Sequence, residues 1–407
     1  MKKEVYLDNA ATTKTDPRVL EVMLPYFSEN YGNPSSMYKI GHEAKMVVDE
    51  AREKIAKTLG EVRPDEIIFT SGGTESDNMA ILGAARKHKD KKKHIITSQI
   101  EHHAVLHPCE KLEKEGFEVT YLPVDRYGMV NPEGVKKFLR EETVLVSVMY
   151  ANNEIGTIKP ISEIAEVIEE FRKENKTPFP YFHTDACQAA GYLSLDVNKL
   201  GVDMLTLNGS KIYGPKGIGI LYLRTGVKIE PLVFGGGQEK NLRSGTENIA
   251  GIVGLAKALE IVDEEKEKET ERLLRLAEKL KNGMLERIDK TFLNGHPEKR
   301  LPNNVNMTIL DIEGEALILH LDEFGIYTST GSACTSASLD PSHVILALGL
   351  PYEAAHGSLR FAMGRYTKEE DIDYVLEKLP EVVENLRKIS PTRVDMRKIE
   401  KVLNERK

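Results

Sequence analysis

A chain of 407 residues with 40% hydrophobic and 29% charged side chains is long enough for roughly two to three domains and buries a full core without disulfides or metals, which excludes a small stapled scaffold, a disordered segment and a fibre. Its 56 Lys and Arg against 64 Asp and Glu leave a net charge of −8; that field repels phosphate backbones and anionic lipid heads, so neither nucleic acid nor a membrane is expected as a partner. Cys109, Cys187 and Cys334 cannot all pair with one another, no signal-like segment follows the charged start, and no apolar run reaches the roughly 20 residues of a membrane span, so a soluble protein in a reducing cytoplasm is expected.

Along the first two-thirds of the chain, short β-branched runs alternate with amphipathic stretches. DPRVLEVMLPYFSE predicts a helix with Asp16 as its cap and Pro17 in its first turn, and HEAKMVVDEAREKIAKTLG a second one ending at Gly60. Strands are predicted at 66–69, 94–98, 118–124, 143–150, 181–186, 204–208 and 219–223. Seven strands separated by helices predict an α/β fold whose mostly parallel sheet is covered on both faces. From about residue 248 one long charged helix leaves this unit, and its DEEKEKETER run reads as a solvated face. NVNMTILD, EALILHLDEFG, the small-residue segment STGSACTSASLDPS, SLRFAMG and a helix from near Thr367 then predict a smaller α+β domain, and the tail from Ser390 reads as a short polar helix.

Three segments carry chemistry at the carboxyl edge of the predicted sheet, where ligands of open parallel sheets collect. In SGGTESDN (71–78), Gly72 and Gly73 precede a helix, so backbone N–H groups, the helix dipole and the Thr74 hydroxyl suit a phosphate; a plain helix cap is the alternative. HTDACQ places Asp185 at the end of an apolar strand, and NGSKIYGPKG places Lys211 just beyond another; each alone also fits a turn former or a surface lysine. Together a phosphate cradle, a carboxylate and a lysine meet the needs of pyridoxal phosphate: the lysine forms a Schiff base, the acid keeps the pyridine nitrogen protonated and the helix end holds the phosphate. His102 in EHHAV could stack on the ring. The competing reading, metal binding by His102, His103 and His107, lacks a cysteine pair or an evident fourth ligand.

In order, YLDNAATT, GNPSS, SGGTESDN, EHHAV, NNEIG, HTDACQ, SKIYGPKG, RSGTEN, GSACTSAS and LRFAMGR run through nearly the whole chain. This ordered set resembles the NifS/IscS-type cysteine desulfurases of the class-V aminotransferase family, which have the pyridoxal-phosphate-dependent transferase fold type I. The resemblance implies a large cofactor-binding domain over 15–260 and a small domain formed by 1–14 and 261–407, with the catalytic cysteine loop at about 326–340. It implies pyridoxal 5'-phosphate bonded to Lys211, paired with Asp185 and stacked on His102, with Gln188 and Asn153 at the ring, Gly73 and Thr74 at the phosphate, and Asn208 and Ser210 donating nearby. Thr246 is implied to reach the phosphate of a second copy, which makes a homodimer. Arg360 matches the arginine for the substrate carboxylate, Asn33 lies in a segment lining the substrate site, and Cys334 matches the cysteine that accepts sulfur from L-cysteine for an iron–sulfur scaffold or another acceptor protein. No resident metal is expected; Cys334 is the one residue on which an iron–sulfur cluster could rest transiently. Ser210, Asn208 and Tyr38 stand where such enzymes commonly carry histidine, serine and histidine. A selenocysteine lyase, an aminotransferase or kynureninase-like enzyme, and a sulfur carrier that kept the fold are the rival readings.

Overall fold

The computed structural model describes residues 3–331 and 340–391 and, in the tail, 393–395, 397, 399, 401 and 402. Cys334, and with it most of the cysteine loop expected from the sequence, lies outside the described residues, as does much of the expected tail helix.

The strands in chain order are β1 (Val5–Tyr6), β2 (Ile67–Thr70), β3 (His94–Ser98), β4 (Glu118–Leu122), β5 (Thr143–Ser147), β6 (Tyr181–Asp185), β7 (Met204–Asn208), β8 (Gly219–Leu223), β9 (Thr291–Leu293), β10 (Asn304–Ile309), β11 (Ile326–Tyr327) and β12 (Ser358–Ala362). All seven predicted strands form one sheet, in the order β2-β8-β7-β6-β5-β3-β4. Five of its strands, β7, β6, β5, β3 and β4, run parallel, while β8 is antiparallel to both of its neighbours. Every residue of β3, β5 and β6 is buried, as a parallel sheet covered by helices on both faces requires.

Two boundaries differ from the sequence reading for identifiable reasons. The first predicted helix splits into Pro17–Met23 and Pro25–Ser28, because Pro25 has no N–H to continue the ladder and its ring crowds the preceding turn. β5 stops at Ser147 rather than Tyr150, since the Met149 N–H turns to the buried Glu101 carboxylate at 3.0 and 3.1 Å. The short strands β1, β9 and β11 escaped the sequence reading, because two or three residues carry no usable periodicity.

The long helix Ile249–Arg287 serves two cores. Its first half, through Val262, packs with the large sheet, and from Leu273 to Met284 it packs with β10, β12 and the helix Glu369–Ile389. The second core is completed by a sheet in the order β12-β10-β9 and by β1, which pairs in parallel with β11. A β-bridge from Asp8 to Ala362 and a hydrogen bond from the Thr13 N–H to the Ser210 carbonyl (2.8 Å) run the N-terminal segment between the two cores. The chain also turns tightly where they meet. Gly295 has φ +82°, and a Cβ there would stand 2.5 Å from the Ile155 carbonyl oxygen and 2.9 Å from the Thr157 hydroxyl. Gly295→Ala therefore combines left-handed strain with a backbone collision and is expected to cost about 3 kcal/mol. Urea unfolding checks this: an unchanged midpoint would contradict it.

Candidate active site

The loops following β3, β5, β6 and β7 converge at the carboxyl edge of the sheet, where they enclose a cavity of about 240 Å³. Of the residues singled out in the sequence, Gly73, Thr74, His102, Asn153, Asp185, Gln188, Asn208, Lys211 and Arg360 all line it. The helix Gly73–Lys87 begins there with Gly72 as its cap, so its unpaired N–H groups face the cavity, an arrangement suited to an anion. A Cβ on Gly73 would come within 2.8 Å of the Cys187 sulfur, so only glycine leaves that wall clear.

Each polar group is held by a second contact. His102 caps the helix His103–Lys114, its Nδ1 accepting from the Ala104 N–H at 3.0 Å, which fixes the ring and leaves the proton of the neutral imidazole on Nε2. Asp185 Oδ1 accepts from the Cys187 N–H at 2.9 Å. Lys211 Nζ donates to the carbonyls of Ala10 (2.9 Å) and Ala11 (2.5 Å), and Gln188 donates to the same Ala10 oxygen at 3.0 Å. Arg360, 1% exposed, donates to Asp8 Oδ1 (2.7 Å) and the Asn153 carbonyl (3.0 Å), while its buried Nε has no hydrogen-bond partner among the described residues.

Three expected residues sit elsewhere. The Ser210 hydroxyl bonds to Asn208 Oδ1 at 3.3 Å and does not line the cavity. Asn33 is exposed and accepts from the Ser35 N–H at 2.9 Å, and Thr246 is exposed; neither lines this chain's own cavity. Pro34 and Ser35 instead share a separate groove with Gln238 and Glu247, which places the neighbours of Asn33 and Thr246 side by side. Cys109 is buried in the helix His103–Lys114, as its place on an apolar helix face predicts.

The sequence reading missed the charges behind the cavity. Asp77 lines it from the helix Gly73–Lys87; its Oδ1 is buried without a hydrogen-bond partner and lies 3.6 Å from His183 Nε2. Burial, reinforced by the Asp185 charge, pushes the Asp77 carboxyl well above the usual range. Burial also holds His183 down at about 4, between the hydroxyls of Ser147 (2.9 Å) and Thr206 (3.1 Å). Glu101 is raised by burial to about 7, against the hydrogen bonds from Ser98 and Met149. Lys159, also buried, is lowered by burial to about 7 and, among the described residues, its amine donates only to the Thr157 carbonyl at 3.4 Å. Asp77 was legible as the fifth residue of a helix whose start was already assigned; Lys159 and Glu101 had no such signal.

A lysine, a carboxylate, a histidine and a helix N-terminus around one cavity at the switch edge of a parallel sheet define a pyridoxal-phosphate enzyme. The residues fit that cofactor: Gly73 clears the wall, Lys211 supplies the amine, and Arg360 keeps a buried donor for a carboxylate. The family model for class-V aminotransferases matches residues 5–375. A cysteine desulfurase IscS of Methanosarcina thermophila is 57% identical over 389 residues, covering 96% of this chain and 94% of that protein. Another, from Dictyoglomus turgidum, is 54% identical over 391 residues, covering 96% and 97%. Among solved structures, a NifS-like protein superposes with a TM-score of 0.88 at 41% identity, covering 94% of this chain and 100% of its own, and SspA in complex with cysteine does so at 0.78 and 37%, covering 90% and 100%. The chain belongs to the class-V aminotransferase family, and like that family it depends on pyridoxal phosphate.

The buried lysine yields a pH prediction. Because the folded-state value of Lys159, about 7, lies below that of an unfolded lysine, the folded protein binds fewer protons in that window and loses stability as pH falls through it. Lys159→Met should stabilise the protein, with a gain that grows as pH falls from about 10 towards about 7 and then levels off. Throughout that window folded Lys159 is already neutral, so its removal takes no charged partner from Glu101. Urea midpoints across the range test this, and a gain independent of pH would refute it.

Proposed function

We infer that this protein is a cysteine desulfurase, removing sulfur from L-cysteine and leaving L-alanine. The observation that carries this reading is the convergence of Lys211, Asp185, His102 and Arg360 on one cavity in a chain whose full-length relatives bear that name. Pyridoxal phosphate, when bound, supplies an electron sink that makes the substrate's α-proton acidic and weakens its β-carbon–sulfur bond. Gly73, Thr74 and the helix end hold its phosphate, Asp185 keeps its ring nitrogen protonated, and His102 and Gln188 orient the ring.

Arg360 binds the substrate carboxylate. Its charge is already balanced by Asp8, and an incoming carboxylate satisfies the buried donor that no group among the described residues takes. Lys211 Nζ removes the α-proton and returns a proton to the product. Cys334 thiolate attacks the substrate sulfur: a sulfur–sulfur bond forms, the carbon–sulfur bond breaks, and its electron pair is protonated to give the methyl group of alanine. The resulting persulfide on Cys334 passes sulfur to an iron–sulfur scaffold or another acceptor protein.

The working form is a homodimer in the cytoplasm, with Thr246 of one copy reaching the phosphate of the other. The exposed apolar side chains Leu20, Leu24, Phe27, Tyr31, Met37 and Tyr38 on the N-terminal helices and the following loop support this, since a patch of that kind is covered in stable oligomers. Among the described residues, no helix is long and apolar enough to cross a membrane.

Lys211→Ala should abolish the visible absorbance of the protein-bound cofactor, and an unchanged spectrum would refute the lysine assignment. Cys334→Ala should still change its spectrum on adding L-cysteine yet form no persulfide and lose alanine turnover by about a hundredfold or more. Full turnover in that variant would refute the role of the thiol.

A further inference from the structure

Glu154, next to Asn153 in the loop after β5, takes no part in the chemistry above, yet it joins distant parts of the chain. It is 2% exposed, and its Oε2 accepts from the Ser342 hydroxyl at 2.5 Å. A Cβ on Gly331 would stand 3.1 Å from that same oxygen, so the Gly331 backbone lies against it. Ser342 Oγ in turn accepts from the N–H groups of Val344 (3.1 Å) and Ile345 (3.3 Å), capping the helix His343–Ala347. The Glu154 backbone is fixed as well: its carbonyl accepts from Asn304 (3.0 Å) and Asn306 (3.1 Å) on β10, and its N–H donates to Asn152 at 2.9 Å. No cation forms an ion pair with this carboxylate among the described residues. Burying a carboxylate beside neutral donors costs free energy that a neutral side chain would not.

Gly331 and Ser342 stand on either side of the segment that contains Cys334, which lies three peptide units after Gly331. Two residues before Gly331, the Ser329 backbone exchanges hydrogen bonds with that of Arg360 at 2.6 and 3.2 Å. We propose that Glu154 is a positioning residue for sulfur transfer: one carboxylate oxygen holds together both ends of the Cys334 segment beside the substrate-binding arginine. The inference rests on Cys334 being the sulfur acceptor, and it adds the group that sets where the thiol's segment leaves and rejoins the fold. Holding a reactive group to its geometry is worth large factors in rate, and misplacing it loses them.

The test uses two substrates on the cofactor-loaded protein. L-Cysteine needs the Cys334 thiol, whereas β-chloro-L-alanine can expel chloride from the same cavity without any thiol. In Glu154→Ala, alanine formation from L-cysteine and persulfide on Cys334, read by mass spectrometry, should fall about tenfold or more, while chloride release stays within about twofold. Amide exchange at Val344 and Ile345 should accelerate about tenfold, reporting the lost cap anchor independently of activity. Glu154→Gln, whose amide oxygen still accepts from Ser342, should recover most of both. Gly331→Ala, which presses a Cβ on the same oxygen, should reproduce the split between substrates if Glu154→Ala does not fold. Undiminished persulfide in Glu154→Ala, or equal losses on both substrates, would overturn the proposal. Full L-cysteine turnover in Cys334→Ala would instead overturn the parent reading, and this inference with it.

Discussion

The structure depends on the burial of one arginine. Arg360 heads the fully buried side chains by size, and its charge lies where the two cores meet. A cation there must be compensated, since an unpaired buried charge costs several kcal/mol. The compensation is assembled from parts remote in sequence: the carboxylate of Asp8 from the N-terminal segment and the carbonyl of Asn153 from the loop after β5. Satisfying Arg360 therefore pins the N-terminal segment, the small sheet and the rim of the cavity together.

Around that cation the protein manages an excess of acid by burial. Asp77, Glu101, Glu154 and Asp185 are all buried, and Asp77 and Asp185 line the cavity. Burial pushes Asp77 well up, raises Glu101 to about 7 and lowers Lys159 to about 7, so the low-dielectric interior works against the charged form of each. His183 remains neutral between two hydroxyls.

The hydrogen bonds that orient the site are of a different kind from those that build the sheet. Backbone ladders place the strand ends, but the cavity is then finished by single contacts from elsewhere: Ala10 and Ala11 receive Lys211, the Ala104 N–H orients His102, and Ser342 meets Glu154. Each contact is short in space and long in sequence or sits at a helix cap. A fold of this type can therefore keep its sheet while its reactivity is retuned one contact at a time.

The sequence by itself determined the seven strands, the parallel sheet and the long connecting helix, and it singled out Lys211, Asp185, His102, Thr74 and Arg360, all of which line one cavity. Strand and helix periodicity, glycine before a helix start and the ordered motifs are local signals, and local signals survive in a linear string. Only the tertiary structure decided which ionisable groups are buried and with what partners: Asp77 behind Asp185, the enclosed Lys159 and Glu101, the Asp8–Arg360 pair, and Glu154 against Gly331 and Ser342. It also separated Asn33, Ser210 and Thr246 from the cavity of their own chain. Desolvation and long-range pairing are properties of surroundings that form only when segments hundreds of residues apart come together, and no spacing along the chain records them.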